Sequence, residues 1–457
     1  PPTLRCIAMV DIDAVFKAYD VRGLVPEQLD AELCGRIGAA FAKFAKHDDD
    51  SVSRVLIGRD MRPSGTDLVA AFAAGVRSQG LDTIELGLAS TDLLYFAAGS
   101  LGAPGAMFTA SHNPAGYNGI KFCLSGARPV GDESGLALIK EDARGELPVV
   151  DPPGTASQMD LLDDFVRHVH SFVDVDSLRP LKVVADVANG MGGLVVPAAF
   201  EGLPFDLEVM YPELDGTFPN HPADPIQPEN QEDLCARVLE VSADVGLAFD
   251  GDADRVFLVD EQGHGLSGST TTALVAAAVL QRHPGAKVIH NLICSRAVAE
   301  VVSELGGEPI RSRVGHSFIK AVMAETGAAF GGEHSAHYYF ADNWRADSGL
   351  IASLVVLEVL SRTERPLSEL RKDYERYAAS GEINTKVDDP EAVIERVAAA
   401  FGDGEQDRLD GLTVQFENWW FNLRPSNTEP LLRLNLEAAD AESCAARVAE
   451  VRSLLEG

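Results

Sequence analysis

Basic residues are scarce in this chain of 457 residues, which has 38 lysines and arginines against 70 aspartates and glutamates. The resulting net charge of −32 would repel a phosphate-rich polymer, so a nucleic-acid partner is not expected. Long apolar runs are also missing, since none reaches the ~18 residues that span a bilayer, and no membrane partner is expected. A small anionic substrate would need a local cluster of cations on so acidic a protein.

Cysteines are few and scattered along the chain. The six cysteines lack CxxC spacing, which argues against both a zinc site and a disulfide framework. The pattern is typical of reduced, mostly buried thiols. No positively charged start followed by an apolar stretch marks a signal peptide, so we expect a cytoplasmic protein.

Alternating strand and helix patterns run through most of the sequence. They predict a mixed, largely parallel α/β sheet up to about residue 140, a linker at 146–157, and two further α/β units. The last stretch, with a helix, three strands and a final helix over Ala441–Leu455, predicts a small α+β domain. Four domains are expected: residues 1–152 with a serine loop, 153–260 with an acidic loop, 261–373 with a polar loop, and 374–457 with a loop between prolines.

A serine–histidine pair follows the apolar run Ala106–Phe108, which predicts the end of a buried strand. The loop Thr109–Pro114 must turn, because the residue before a proline is pushed out of the helical region. Ser111, beside His112, is well placed for a nucleophile, although an ordinary polar turn would explain the pair taken alone. Lys121 is either a general acid/base, if desolvation lowers its pKa, or a phosphate-binding charge.

An earlier stretch, Phe16–Gly23, combines aromatic residues and an arginine before a glycine. It suits a loop that presents Tyr19 and Arg22 into a cleft. A strand-to-helix connection with Arg22 in a surface ion pair is the alternative, and it would be preferred for this stretch alone.

Three aspartates recur at every second position: Asp250, Asp252 and Asp254. They converge on one cation if the backbone curls, as Gly251 permits, and oxygen-only ligands select Mg²⁺ or Ca²⁺. An EF-hand loop is rejected because Arg255 stands where that loop needs glycine, and because both flanks have strand composition. The pattern therefore favours a site for a hard cation over a solvated acidic turn.

A polar run in the third unit, Gly331–His337, carries a carboxylate, a hydroxyl and two imidazoles. Glu333 and Ser335 can bracket the vicinal hydroxyls of a polyol. A metal site is less favoured, because two histidines three residues apart lack a third nitrogen or sulfur ligand. His316 and His337 fit a structural role as well as a functional one.

The loop Arg424–Pro430 places an arginine, two hydroxyls and an amide between prolines. Arg424 offers a forked pair of donors, and the side chains of the loop with its backbone N–H groups add more. We interpret the loop as a phosphate-binding site, since a plain hairpin does not call for so many donors.

The serine loop, the aspartate run, the Gly332–His337 run and the Arg424 loop occur in this order. Together they resemble the α-D-phosphohexomutase superfamily, and most closely its bacterial phosphomannomutase/phosphoglucomutase branch. The resemblance extends from Tyr19 to Arg433, and the ordered set of motifs is far more specific than any one of them. Many relatives have glycine at the positions of Ala253 and Ala336, and some carry a lysine near the apolar Ile293.

The resemblance implies three similar mixed-sheet α/β domains and a smaller C-terminal α+β domain around a central cleft. It implies a phosphoryl group on Ser111, and Mg²⁺ held by Ser111 with the three aspartates. The other catalytic candidates that it implies are Arg22, His112, Lys121, His316 and His337. The substrate-binding candidates that it implies are Tyr19, Arg255, Glu333, Ser335, Arg424, Ser426, Asn427, Thr428 and Arg433.

The activity implied is that of a phosphomannomutase that also acts as a phosphoglucomutase. Phosphoserine 111 would phosphorylate a hexose monophosphate, the hexose 1,6-bisphosphate would turn end for end, and Ser111 would take back the other phosphoryl group. The expected enzyme is a cytoplasmic isomerase and phosphoprotein, a monomer or weak homodimer that uses hexose phosphates and is activated by hexose 1,6-bisphosphate. The alternatives are a phosphoglucosamine mutase, a metal-dependent sugar phosphatase and a sugar-phosphate sensor.

Overall fold

The computed structural model describes residues 11–425 and 431–455. The chain divides into two compact units. The first comprises residues up to Gly265 together with Tyr339–Glu364, and the second comprises Leu266–Tyr338 together with the residues from Arg365 onward. Each unit contains its own apolar core.

The first sheet has the strand order β1-β5-β4-β2-β3-β7, with β6 paired to β5. Strand β2 runs parallel to β3 and β4, whereas β5 runs antiparallel to β4 and β1. The strands are β1 (Val21–Leu24), β2 (Arg54–Arg59), β3 (Asp82–Leu88), β4 (Gly105–Phe108), β5 (Tyr117–Leu124), β6 (Arg128–Pro129) and β7 (Ala156–Gln158). The accompanying helices are α1 (Ile12–Val15), α2 (Ala31–Asp48), α3 (Gly65–Ser78), α4 (Thr91–Ser100) and α5 (Leu136–Ala143).

The core of this domain contains a cluster of phenylalanines. Phe41 of α2 and Phe72 of α3 pack with Phe108 and Phe122 from the sheet, with ring centroids 4.7–6.2 Å apart. The two helices can approach closely because Gly38 has no Cβ, which would lie only 2.1 Å from the Phe72 carbonyl oxygen. Burying these rings fixes the strand ends that carry the serine loop.

The second sheet has the order β11-β10-β8-β9, with β10 antiparallel to β11 and parallel to β8. The strands are β8 (Lys182–Asp186), β9 (Asp206–Met210), β10 (Val245–Phe249) and β11 (Val256–Asp260). The helices around it are α6 (Leu162–His170), α7 (Gly192–Phe200) and α8 (Glu232–Val241). Both β10 and β11 are fully buried.

The second unit begins with another α/β domain, in which β12 lies between β13 and β14 and is parallel to both. The strands here are β12 (Lys287–Asn291), β13 (Glu308–Ser312) and β14 (Phe330–Gly332), followed in the chain by β15 (Tyr338–Phe340). The helices are α9 (Gly268–Arg282), α10 (Arg296–Glu304) and α11 (His316–Thr326). The chain then forms α12 (Gly349–Ser361), which belongs to the first unit, and α13 (Leu367–Leu370).

The last domain is an antiparallel sheet in the order β16-β20-β19-β18-β17. The strands are β16 (Ala378–Lys386), β17 (Glu405–Asp407), β18 (Leu412–Gln415), β19 (Trp419–Pro425) and β20 (Leu431–Ala438), with helices α14 (Pro390–Ala400) and α15 (Ala441–Leu455). Short 3₁₀ turns elsewhere in the chain span Ser125–Ala127, Asp132–Ser134, Val175–Ser177, Pro228–Gln231, Ala341–Asn343 and Arg371–Asp373.

The expected fold class is confirmed: three mixed or parallel α/β domains precede a C-terminal α+β domain. The final helix has the predicted bounds, and the acidic loop has the predicted strand on each side. The predicted linker at 146–157 overlaps β7, which pairs in parallel with β3. Within residues 11–425 and 431–455, we find no helix with both the length and the apolarity of a membrane span.

Candidate functional site

The serine loop and the acidic loop meet in the first unit. Ser111 comes three residues after β4, and its φ of 48° lies in the left-handed region. Its Oγ donates a 2.7 Å hydrogen bond to Oδ2 of Asp250, which directly follows β10. The two loops touch along their backbones as well, because a Cβ at Gly251 would lie 2.4 Å from the Ser111 carbonyl oxygen. Glycine is therefore required at position 251.

The guanidinium of Arg62 hydrogen-bonds to the backbone of the serine loop. It donates to four backbone carbonyl oxygens, those of Ser111 (2.9 Å), Asn113 (2.6 Å), Pro114 (2.8 Å) and Tyr117 (2.9 Å). The side chain is fully buried and also pairs with Asp60 at 3.2 Å. One side chain thus binds three carbonyl groups of the loop and the first one of β5.

The three aspartates form a compact oxygen cluster. Each contributes a carboxylate oxygen, and these oxygens all lie within 4.8 Å of one another. Among the described residues, no hydrogen-bond donor reaches Oδ1 of Asp252, although that atom is buried. A buried carboxylate oxygen without a donor, in a set of oxygen ligands only, fits a hard divalent cation.

Lys121 lies against the same cluster. Its ammonium donates to Oδ2 of Asp252 at 2.7 Å and to Oδ2 of Asp254 at 2.6 Å. Burial by itself would lower the pKa of Lys121, but the two carboxylates outweigh it and raise that pKa well above its usual value. A general acid/base role for Lys121 would need a pKa lowered by desolvation. The pKa is raised instead, so Lys121 is a cation in this arrangement.

The other cation beside Ser111 is Arg255. It donates to Oδ2 of Asp250 at 2.9 Å, to Nδ1 of His112 at 2.7 Å and to Oγ of Ser111 at 3.3 Å. Burial, and next the charge of Arg255, lower the pKa of His112 well below its usual range. His112 is therefore a neutral acceptor at pH 7. Burial also raises the pKa of Asp250, while Lys121 keeps that of Asp252 low against the opposing effect of burial.

Arg22 contacts the serine loop although the two are 91 positions apart in the sequence. Arg22 lies on β1 opposite Gly119, donates to Oδ1 of Asn113 at 2.6 Å, and pairs with Asp20. Tyr19 is half-buried in the bend before β1. The surface ion pair considered for Arg22 is therefore a partly buried pair that also contacts the serine loop.

The sugar-binding candidates lie in the second unit, directly after β14. Glu333 is buried, and its Oε1 accepts hydrogen bonds from the Gly315 backbone at 3.1 Å and from Asn291 at 3.2 Å. Oγ of Ser335 lies 3.0 Å from Nδ1 of His337, which in turn lies 3.7 Å from Oε2 of Glu333. These three side chains form one polar cluster, and the glutamate is held by its neighbours.

The phosphate-binding candidates on β19 and β20 are held by one carboxylate. Arg424 and Arg433 are cross-strand neighbours, and Glu382 of β16 pairs with them at 3.0 and 3.4 Å. His316 is the first residue of α11 and is half-buried. The candidates Ser426, Asn427 and Thr428 lie outside the described residues.

Sequence reasoning missed two residues of the first cluster. Nothing in the sequence shows that Arg62 contacts the serine loop. Thr91, the first residue of α4, donates its hydroxyl to Oδ2 of Asp252 at 2.6 Å. No sequence signal points to Thr91, because a threonine at the start of a helix is ordinary.

Family models match the chain in four consecutive segments. Their descriptions are phosphoglucomutase/phosphomannomutase, alpha/beta/alpha domains I, II and III, and C-terminal domain. The matched segments are residues 13–146, 163–264, 267–377 and 382–454.

Curated relatives match over nearly the full length of the chain. A protein of Xanthomonas campestris pv. campestris named "Phosphohexose mutases" is 41% identical over 449 residues, which cover 97% of this chain and 99% of that protein. A phosphomannomutase of Escherichia coli K12 is 40% identical and covers 96% of this chain and 98% of its own length. A phosphoglucomutase/phosphomannomutase family protein of Burkholderia thailandensis has a similar structure, with a TM-score of 0.88, 35% identity and 98% coverage of both chains.

Proposed function

Because the chain belongs to the phosphoglucomutase/phosphomannomutase family, we propose that it is a phosphomannomutase that also accepts glucose phosphates. It interconverts hexose 6-phosphate and hexose 1-phosphate through a phosphoserine and a hexose 1,6-bisphosphate, which also serves as activator. The observation that carries the proposal is the Oγ of Ser111, hydrogen-bonded at 2.7 Å to one of three clustered, buried aspartates.

Ser111 is the proposed carrier of the phosphoryl group. In the forward half-reaction the bond from phosphorus to Ser111 Oγ breaks, and a bond forms to the free hydroxyl oxygen of the hexose monophosphate. The hydroxyl proton passes to a base, for which His316 and His337 are the candidates, because Lys121 is already protonated. The second half-reaction reverses these steps at the other end of the sugar, so the serine is phosphorylated again.

The surroundings of Ser111 suit the charge that phosphoryl transfer places on oxygen. Arg255 donates toward Ser111 Oγ from 3.3 Å, and Arg22 and Lys121 bring two more cations to the loop and the aspartates. Arg62 fixes the backbone of the loop, so the serine does not need to reorganise during the reaction. These cations also provide the local positive charge that an anionic substrate needs on a protein of net charge −32.

Asp250, Asp252 and Asp254, with an oxygen on Ser111, are the proposed ligands of Mg²⁺. When bound there, the ion would neutralise charge on the phosphoryl group and on the departing serine oxygen. The carboxylates are already held in place by Ser111, Arg255, Lys121 and Thr91.

The remaining candidates divide between the two parts of the substrate. Glu333 and Ser335 are proposed to bind sugar hydroxyls, with His337 as their hydrogen-bonded neighbour. Arg424 and Arg433, with Ser426, Asn427 and Thr428, are proposed to bind the phosphate that is not transferred. Tyr19 is proposed to line the substrate site beside Arg22.

The test is a side-by-side assay of mannose 1-phosphate, glucose 1-phosphate and glucosamine 1-phosphate, with and without added hexose 1,6-bisphosphate. We expect conversion of the mannose and glucose compounds to their 6-phosphates, with turnover dependent on the bisphosphate. Preference for the glucosamine compound would instead indicate a phosphoglucosamine mutase. Release of inorganic phosphate independent of bisphosphate would indicate a phosphatase, and binding without turnover a sensor.

A further inference from the structure

Thr91 contacts the aspartate cluster although it lies in a different segment of the chain. It is fully buried as the first residue of α4, and its backbone N–H donates to the carbonyl oxygen of Asp252 at 3.1 Å. Its hydroxyl donates to Oδ2 of the same residue at 2.6 Å. Two hydrogen bonds therefore link Thr91 to a single aspartate.

The hydroxyl bond determines which oxygen of Asp252 remains available. Oδ2 accepts from both Thr91 and Lys121, the second at 2.7 Å. Oδ1 is buried and accepts from no donor in residues 11–425 or 431–455. A carboxylate held by two donors on one oxygen cannot turn about its Cβ–Cγ bond without breaking both. The free oxygen is therefore presented in one orientation.

The position of Thr91 is itself fixed by its two neighbours. The Ser90 hydroxyl accepts from the backbone N–H of Leu93 and caps α4. Asp92 accepts from the hydroxyls of Ser90 and of Ser348, the residue that caps α12. Both neighbours are fully buried, so the first turn of α4 is a rigid support for the threonine hydroxyl.

We propose that Thr91 is a positioning residue that orients Asp252 for divalent-cation binding. The inference rests on the proposed function in which the three aspartates hold Mg²⁺. Groups that hydrogen-bond to a metal ligand fix its orientation, and their removal lowers metal affinity by roughly 10- to 100-fold. Lys121 alone cannot fill this role, because its ammonium is shared with Asp254.

The experiment compares Thr91→Val, which keeps the shape and the backbone bond but lacks the hydroxyl, with Thr91→Ser, which restores the hydroxyl. Binding of Mn²⁺ alone to the purified full chain is measured by titration calorimetry. We expect Thr91→Val to weaken Mn²⁺ binding at least ~10-fold and Thr91→Ser to stay within ~3-fold of the wild type. In kinetics, kcat of Thr91→Val at limiting metal should fall, and saturating metal should largely restore it, with KM for the sugar phosphate little changed.

Thr272→Val is the matched control, because Thr272 is equally buried and its hydroxyl has no hydrogen-bond partner among the described residues. It should bind Mn²⁺ as the wild type does. Thr91→Ala is a second variant without the hydroxyl, and it should show the same loss if Thr91→Val folds poorly. Mn²⁺ affinity unchanged in both hydroxyl-less variants would overturn the inference but leave the proposed function intact. Wild-type protein that binds no Mn²⁺ at all would overturn the proposed metal site with it.

Discussion

Arg62 places a guanidinium where no solvent reaches it, since its side chain is 0% exposed. A buried charge destabilises a protein unless it is paired and fully hydrogen-bonded. Asp60 supplies the pair, and burial raises the pKa of Asp60 while lowering that of Arg62. The four backbone carbonyls complete the donor pattern of the guanidinium. We therefore interpret Arg62 as a residue retained for the shape of the serine loop.

We expect Arg62→Lys to lower kcat about 100-fold with a much smaller change in KM. A lysine keeps the charge, but its three donors diverge from one nitrogen and cannot span four carbonyls, so Ser111 shifts. Steady-state kinetics with mannose 1-phosphate measures the effect. Arg54→Lys is the control, since Arg54 donates to a single exposed carbonyl, that of Leu101 at 3.1 Å.

Two outcomes would contradict this role for Arg62. One is a kcat within ~3-fold of the wild type in a folded Arg62→Lys protein. The other is a loss of activity that tracks the loss of folded protein, which would make Arg62 purely structural.

Ala253 and Ala336 are residues whose unusual backbone could be inferred from the sequence. Many relatives have glycine at the positions of Ala253 and Ala336, and both alanines have positive φ, 61° and 66°. Glycine adopts this region without the steric strain that a Cβ causes. The resemblance thus correctly marked both positions as unusual. Thr91 and Arg62 gave no such signal, because their contacts join residues more than 45 positions apart.

At the scale of an element, the N-terminus of α4 carries three consecutive buried polar residues, Ser90, Thr91 and Asp92. Asp92 has no basic partner within the described residues and accepts only from serine hydroxyls. Burial raises its pKa to about 7, against an ordinary value of 3.8. The folded protein therefore holds this proton up to a higher pH than the unfolded chain does.

This shift predicts a pH-dependent stability. The pKa of Asp92 is higher in the folded protein than in the unfolded chain. The stabilisation that results is complete below pH ~4 and is lost as the pH rises through ~7. Asp92→Asn imitates the protonated acid and should not show this loss. Between pH 5 and pH 8 the free energy of unfolding of the variant should gain about 3 kcal/mol relative to the wild type.

Urea unfolding at pH 5, 6, 7 and 8 measures the difference. Asp82→Asn is a suitable control, because hydrogen bonds from Thr155 lower the pKa of that exposed carboxyl. If the free energies of unfolding of the wild type and Asp92→Asn differ by a constant amount over this pH range, Asp92 is ionised throughout and the prediction is wrong.

Two elements of the second unit, the loop after β14 and the β19–β20 pair, should separate binding of the sugar from binding of the phosphate. Arg424→Ala removes a charge-assisted fork and should lower kcat/KM for mannose and glucose phosphates by a similar factor, roughly 30- to 150-fold. Glu333→Gln converts an acceptor into a mixed donor and acceptor. Its effect should depend on the sugar and alter the mannose/glucose ratio, because the two sugars differ in hydroxyl orientation.

Kinetics of both variants on both sugar phosphates provide the test. Arg376→Ala is a control, since Arg376 also lies in the second unit but pairs with Glu300 and Glu304. A strong change in sugar preference in Arg424→Ala, with none in Glu333→Gln, would reverse the two assignments.

The buried strands and the final helix were predictable from the sequence, whereas the exposed strands were not. The final helix and the buried strands around the aspartates matched their predicted positions. Strand β16 was missed because its side chains are mostly exposed or half-exposed, so no apolar run marks it. The fully exposed β7 joins its sheet through backbone pairing with β3 and a 3.4 Å hydrogen bond from the Ser157 hydroxyl to the Thr83 carbonyl oxygen. It lies within a stretch whose composition is typical of a linker.

For the whole molecule, the composition predicted that an anionic substrate needs a local cluster of cations, and the motifs predicted the family. A net charge of −32 states only that anions need local cations. The order of four motifs then predicted four family domains, and four family models match in that order. The domain boundaries and the roles of the individual site residues stay predictions, because they depend on contacts between distant segments and on chemistry that a pattern does not fix.

The central claim is that Ser111 carries the phosphoryl group during turnover. The most direct measurement incubates the protein with ³²P-labelled glucose 1,6-bisphosphate, maps the labelled peptide, and then chases with unlabelled mannose 1-phosphate. We expect the label on Ser111, its absence in Ser111→Ala, and its transfer to sugar during the chase at a rate at least equal to kcat. Label that is absent from Ser111, or that stays on the protein while substrate turns over, would contradict the account.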